Sequence, residues 1–388
     1  MLKKKKENNN EFCAKLVVLY YFLLPIYLIL QLKIGIKAHF TVPIIYLLIV
    51  IKNYKRLNFK FFIYVIIFFL IQMPYSLYKY YNYLYNWFGL MYLLFICSLP
   101  WFVVGNSLDN LDALVIEFKK NVLYIIVSNI LLILFCKFTG RTMLGNMEIS
   151  YTILPLVMFS LLIFLREKNI KFLIISIFSG LVILIVGSRG PLLCIACFIL
   201  FYHLFNFNKK ILYTTIVAII GFIIILNLNP IIDFMINSLE NYGISSRTLY
   251  KLKNGDILND TGRGKIQDVV WEELNENPIM GLGLGGERII VNERIYNMSK
   301  DMSSCYPHNF IIEVLSQYGY IWGMLIIIFL LCIFLKALEK SKENEKNVVL
   351  LLFSMDIIKL FLSSSYIMSP MFFLLLGICF NKDGGKNR

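Results

Sequence analysis

The sequence predicts an all-α membrane protein, with about twelve transmembrane helices and one large, partly helical extracytoplasmic loop. Three observations carry that reading. Of the 388 residues, 59% are hydrophobic and only 16% charged, against about 45–50% and about 25% in soluble globular chains. The apolar residues come in runs rather than in even alternation. The positive charge, a formal +14, gathers in alternate loops, the pattern of a polytopic chain whose Lys- and Arg-rich loops stay in the cytoplasm. A soluble enzyme is excluded, because no single soluble core holds so much apolar surface.

A spanning helix needs about 20 mainly apolar residues. Such runs fall at 13–31, 38–51, 59–74, 84–104, 121–138, 150–165, 171–188, 190–205 and 211–229, then at 310–335, 347–362 and 364–380. Several are short and extend into their flanks. The chain thus divides into 1–229 with nine spans, 230–308 as the extracytoplasmic loop, and 309–388 with three spans and a tail. The first run follows Lys3, Lys4, Lys5 and Lys6 in the manner of a signal peptide. It is longer than an h-region and no small-residue cleavage site follows, so it reads as a retained helix. With the N-terminus inside, the inside loops hold clusters such as Lys52, Lys55, Arg56 and Lys60, or Lys336, Lys340, Lys342 and Lys346. The short outside loops hold only Lys33, Lys37, Lys79, Lys137, Arg141 and Arg189. This asymmetry puts both termini in the cytoplasm and accounts for most of the basic excess without a nucleic-acid partner.

The loop at 230–308 is too long to be structureless without a function. Ser245 or Ser246 can cap a helix carrying Leu249 and Leu252. From Gly264 onward Ile266, Val269, Val270 and Leu274 recur at helical spacing beside Trp271, and Pro278 stops that helix. Gly281-Leu282-Gly283-Leu284-Gly285-Gly286 follows as a flexible turn. It is not a dinucleotide fingerprint, because no βαβ unit surrounds it. Cys194 and Cys197 have CxxC spacing, but they lie in an apolar helix with no nearby His or second pair and read as packing residues.

In so apolar a chain, a charge near the membrane needs a reason. Arg189 lies in Gly187-Ser188-Arg189-Gly190-Pro191, where the seventh and eighth spans meet almost without a loop. Arg263 lies in Thr261-Gly262-Arg263-Gly264. Arginine keeps its charge and forks onto phosphate oxygens. His308 stands where the loop enters the tenth span, followed by Asn309 and then Glu313; an imidazole accepts a proton near neutral pH. Capping or tethering the loop is the plainer role for it. His39 and His203 lie near span ends among aromatics and read as interfacial. Asp356 and Lys359, three apart in the eleventh span, can pair on one helical face as structural glue or line a cavity. Arg189, Arg263 and His308 all fall at the outer surface, where cations and a base suit an anionic, lipid-anchored substrate such as a diphosphate-linked glycolipid.

Several motifs now stand in order: Ser188-Arg189-Gly190-Pro191, then Gly262-Arg263 with Trp271 downstream, Asn277-Pro278-Ile279-Met280-Gly281-Leu282-Gly283, Pro307-His308-Asn309, and Gly319 with Gly323. In order and sidedness they resemble the O-antigen ligase and O-antigen polymerase family, over residues 185–325 by motif and over the whole chain by topology. The resemblance implies a metal-independent glycosyltransferase of the C-type membrane class, with no cofactor and a polyprenyl-diphosphate-linked glycan as donor. It implies that Arg189 and Arg263 hold the diphosphate and that His308 is the base on the acceptor hydroxyl. Arg141, Arg288, Asn309 and Glu313 are the further substrate-binding candidates. The partners it implies are the lipid bilayer and a flippase and chain-length regulator of the same pathway. The Lys-, Asn-, Ile-, Phe- and Tyr-rich composition has AT-rich codons, pointing to a low-GC bacterium that makes a capsule or exopolysaccharide. That favours polymerisation of repeat units over ligation to a lipid A core. A lipid-linked-sugar flippase is a further alternative, but it should show polar, broken helices near the midplane in repeated halves; no such symmetry is visible, and the long loop is poorly explained.

Overall fold

The computed structural model describes residues 2–34, 41–139, 147–186, 188–206 and 263–384, with a few isolated positions between 233 and 253. Among the described residues every regular element is helical. In chain order they are α1 (Leu2–Ile34), α2 (Thr41–Lys52), α3 (Phe62–Lys79), α4 (Leu84–Tyr92), α5 (Pro100–Asn106), α6 (Asp112–Phe138), α7 (Met147–Glu167), α8 (Ile170–Val186), α9 (Arg189–Asn206), α10 (Arg263–Glu276), α11 (Gly286–Tyr296), α12 (Phe310–Lys340), α13 (Glu343–Leu362) and α14 (Pro370–Gly384).

Seven described segments are long and apolar enough to cross a membrane: Asn9–Lys33, Phe62–Lys79, Trp87–Asn106, Asp112–Phe138, Met147–Glu167, Arg189–Asn206 and Phe310–Lys340. Ile170–Val186 and Pro370–Lys382 are apolar but shorter. The chain is a membrane protein. Of the about twelve spans expected, the one at 211–229 lies outside the described residues, as do Ser245, Ser246 and His39. The run at 347–362 falls within α13, which is long enough but carries Glu343, Glu345, Lys346, Asp356 and Lys359 and buries most of its length in protein. The run at 84–104 is one span with an irregular middle. Leu93–Ser98 wind as a π-helix, and Leu99 N donates five residues back to Leu94 O at 2.8 Å. Pro100, which has no N–H, follows directly. The widened turn seats beside Tyr366–Met368, where Ser98 Oγ donates to Ile367 O at 2.8 Å.

α14 packs along α5, α7 along α8, α1 along α6, and α13 along α9. The α5–α14 crossing is close: a methyl at Gly105 would overlap the Leu374 carbonyl, and one at Gly377 the Phe102 carbonyl. Small residues at such a crossing let two backbones approach. Asn10 Oδ1 accepts from Asp109 N at 2.8 Å, Asn381 Nδ2 donates to Leu108 O at 3.0 Å, and Lys382 pairs with Glu345 at 2.8 Å. The start of α1, the end of α14 and the start of α13 therefore share one end of the bundle. The last turn of α13 lies about 30 Å away, at 1.5 Å per residue, and reaches the other end.

α12 is broken at Gly319, whose backbone is left-handed (φ 80°, ψ 172°). The carbonyls freed by the break find partners in the glycine-rich turn. Leu282 N donates to Ser316 O at 2.6 Å, Gly283 N to Gln317 O at 3.1 Å, and Tyr320 N to Pro278 O at 2.8 Å. Trp87 Nε1 donates to Leu284 O at 2.9 Å, Leu284 N to Ser76 Oγ at 2.8 Å, and Tyr75 OH to Gly281 O at 3.0 Å. This turn was expected to be flexible. Instead Gly281 to Gly286 are all buried, because a broken helix at membrane depth must have its backbone polar groups satisfied by protein.

A methyl at Gly319 would overlap the Ile279 carbonyl as well as strain the backbone. Gly319→Ala is therefore expected to cost about 2 kcal/mol or more. A thermal melt followed by size-exclusion chromatography in detergent checks this, and an unchanged midpoint would contradict the docked-turn account.

Candidate functional site

The candidate residues gather around the C-terminal end of α13. α10 begins at Arg263 and buries Ile266, Val270 and Leu274, where Ile266 and Val270 meet Val291, Cys305 and Ile312. Its helical stripe matches the sequence expectation, and it ends at Glu276, ahead of Pro278. The docked helix holds Arg263 so that Nη1 donates to Leu362 O at 2.6 Å, with Nη2 4.0 Å from Met147 Sδ. Leu362 closes α13, so its carbonyl is one that the helix itself leaves unsatisfied. Next in the chain, Ser363 Oγ lies 2.9 Å from Tyr151 OH, and Ser363 O accepts from Tyr306 OH at 2.8 Å. The Tyr151 hydroxyl fits against Gly190, where any side chain would collide with it. Gly190 follows Arg189, the half-buried first residue of α9.

His308 has a left-handed backbone, φ 55°, uncommon for a residue with a side chain. Its ring lies 4.2 Å from that of Tyr306, and Gln267 Nε2 tethers the preceding carbonyl of Pro307 at 3.1 Å. Its Nδ1 is buried without a hydrogen-bond partner. Burial first, then the charges of Arg263, Arg288 and Lys300, pushes the imidazole down to about 4. It is therefore neutral at pH 7, with a lone pair available to accept a proton. α9 begins at Arg189, beside the Tyr151 hydroxyl, and α12 begins at Phe310, two residues after His308, and helix N-termini carry partial positive charge.

Arg288 and Glu313, expected among the substrate-binding residues, are 0% and 1% exposed and pair with each other at 3.3 Å. Arg288 Nη1 also donates to Met302 O at 3.1 Å, and the guanidinium lies 5.2 Å from the centre of the Tyr306 ring. Glu313 accepts from Ser365 Oγ and, at 3.3 Å, from Tyr366 N. Glu287 lies 3.5 Å from Arg288 and accepts from Gln317 Nε2 at 2.8 Å. Burial raises the Glu287 carboxyl and the Arg288 charge opposes that rise. These groups sit below the site and support it, because buried charges persist only when paired. Asn309 Oδ1 caps α12, accepting from Ile311 N at 3.0 Å and Ile312 N at 3.3 Å. Arg141 lies outside the described residues.

Residues 172–328 match the Wzy_C family, described as O-antigen ligase. The match spans less than half of the chain. The matched region runs from α8 into α12 and contains Arg189, Arg263, Arg288, His308, Asn309 and Glu313, whereas Tyr151, Lys359 and Ser363 lie outside it. No curated protein matches the chain at a significant level. Beside the matched region, an apolar groove of about 710 Å³ runs between α3, α12 and α14. Phe310 and Tyr366 line it where it meets the site, and Phe329 and Phe380 lie farther along.

Tyr151 and Ser363 escape a reading of the sequence. Tyr151 is one aromatic among many, and the polar interruption Ser363-Ser364-Ser365 is the only hint of the second. The expected Asp356–Lys359 pair does not form. Lys359 Nζ lies 4.7 Å from the centre of the Tyr151 ring, and Asp356 Oδ2 is buried without a hydrogen-bond partner. Cys194 and Cys197 are free thiols, as their setting predicts.

His308 should react with diethyl pyrocarbonate through its neutral form, at a rate that holds across neutral pH and halves near pH 4. Arg263→Gln removes a neighbouring positive charge, so the midpoint should move upward, toward the ordinary 6.5. Mass spectrometry of the modified peptide measures both. A wild-type midpoint at or above 6.5 would contradict this electrostatic account.

Proposed function

We propose that this protein is a metal-independent glycosyltransferase. In this reading it joins polyprenyl-diphosphate-linked oligosaccharide repeat units into a surface polysaccharide (capsule, exopolysaccharide or O-antigen) at the outer face of the bacterial cytoplasmic membrane, with both termini inside. The observation that supports this most is the convergence of Arg263, His308 and the start of α9 at Arg189 around the end of α13.

In the reaction, the acceptor hydroxyl oxygen forms a bond to the anomeric carbon of the donor. The bond from that carbon to the diphosphate oxygen breaks, and the diphosphate leaves with the electron pair. The hydroxyl proton passes to His308. Arg189 and Arg263 stabilise the negative charge growing on the leaving diphosphate. Donor binding also strengthens the base: an anion beside Arg263 offsets one of the charges that depress His308, so its pKa rises once the donor is seated.

The apolar groove beside Phe310 suits the lipid chain of a second lipid-linked unit, which favours polymerisation. The family description favours the other reading, an O-antigen ligase that passes the glycan to a lipid A core or another acceptor. A flippase that delivers repeat units and a chain-length regulator are the partners such a polymerase needs.

Reconstitution in vesicles with a lipid-diphosphate repeat unit alone separates the two readings. A ladder of products means polymerase, and product formed only after a second acceptor is added means ligase. Arg189→Ala, Arg263→Ala and His308→Ala should each slow transfer by about 10²- to 10⁴-fold at normal protein levels. Full-length polymer from His308→Ala would remove the base from this scheme. Leu325→Trp, which fills the groove from the lipid side, should raise KM for long prenyl chains and spare short ones.

A further inference from the structure

We infer that Lys359 is a third cation of the diphosphate site and binds the phosphate nearest the lipid. This rests on the function proposed above. Lys359 lies on the last turn of α13, where Ser363 N donates to Lys359 O at 2.9 Å. Arg263 holds the neighbouring Leu362 carbonyl at 2.6 Å. Lys359 is therefore about 4.5 Å deeper along the helix axis than Leu362, on the same side of the site. Its ammonium rests 4.7 Å from the centre of the Tyr151 ring. The hydroxyl of that ring touches Ser363 and the backbone at Gly190, next to Arg189. One phenol thus lies between Lys359 and Arg263, with the α9 backbone beside Arg189 against its hydroxyl.

An ammonium in a membrane-embedded helix calls for a counter-charge. Lys359 makes no ion pair with any described carboxylate; Asp356 and Glu148 act on it only from a distance. The Tyr151 ring attracts the ammonium without neutralising it. The arginines stand at helix ends, near the mouth that faces His308, while Lys359 stands one turn farther into the membrane. A lipid diphosphate has the matching polarity, with its sugar-bearing phosphate outward and its prenyl-bearing phosphate inward. A compact ammonium with three donors suits that inner phosphate. Because the inner phosphate does not bond to the reacting carbon, the contact acts mainly on donor binding.

The test uses the full-length protein in lipid nanodiscs, with a prenyl diphosphate as competitive inhibitor and the lipid-linked repeat unit as donor. Lys359→Met should weaken inhibition, and raise KM for the donor, by about ten- to a hundredfold, with kcat within about threefold. Lys359→Arg should recover most of the loss. The double variant D356N/K359M should keep the defect. If the defect vanishes in the double variant, Lys359 serves only to offset Asp356 and the inference fails. It also fails if Lys359→Met binds prenyl diphosphate as the wild type does. If the wild type itself does not bind prenyl diphosphate, the diphosphate reading of the whole site falls; if only Lys359→Met matches wild type while Arg263→Gln weakens binding, the loss is confined to Lys359.

Discussion

The site is built over one buried ion pair. Arg288 and Glu313, almost without exposure, draw together α11, α12 and the segment that follows α13. Glu313 fixes Ser365 and the Tyr366 backbone, and Arg288 supports the face of Tyr306. From there the placement passes outward, through Ser363 and Leu362 to Arg263, and through Tyr306 to His308. Removing one partner of such a pair strands a charge in a dry interior, at a cost of about 3–5 kcal/mol. With Glu287 as a second carboxylate beside one guanidinium, the cluster holds more acid than base. Burial answers that by favouring the protonated form of Glu287.

The broken helix is the complementary constraint. An unbroken α12 would leave the stretch after α10 without a dock. At Gly319 the helix instead opens two carbonyls that the glycine-rich turn fills, and that turn is tied to α3 and α4 through Ser76 and Trp87. The helices α10 and α11 are therefore anchored at both ends, one by the dock and one by the ion pair. Arg263 and His308 belong to this anchored layer, Arg189 to the candidate span α9, and Lys359 to the buried helix α13.

What the sequence makes legible follows from what a sequence can express. Arg189 and Arg263 stand out because each sits among glycines, and His308 because it stands where the loop enters a span; the end of α13 lies close to all three chain positions. The amphipathic stripe of α10 and its stop at Pro278 are also as read. Arg288 and Glu313 show the same kind of charge, but nothing in a sequence distinguishes a charge facing a substrate from one facing another charge across distant helices. The glycine run displays conformational freedom and hides the partners that remove it. Asp356 and Lys359 have the spacing of a pair, yet the Tyr151 ring, far away in the chain, takes up the ammonium. Tyr151 itself has no local signature. α13 is a helix of spanning length whose charges the surrounding protein tolerates, so hydropathy alone misjudges its environment.

The groove between α3, α12 and α14 has a kinetic consequence. Its walls include residues that are open to the surroundings, such as Tyr64 and Ile71 at 67% and 70% exposure, so it opens sideways. Under the proposed function, a lipid chain held there would arrive by diffusing in two dimensions and depart the same way, without its polar head crossing an apolar barrier. Occupancy would then depend on the surface density of substrate in the leaflet rather than on a bulk concentration. A product that kept its lipid anchor would leave the groove without leaving the membrane, and its return for another round would become a matter of lateral distance.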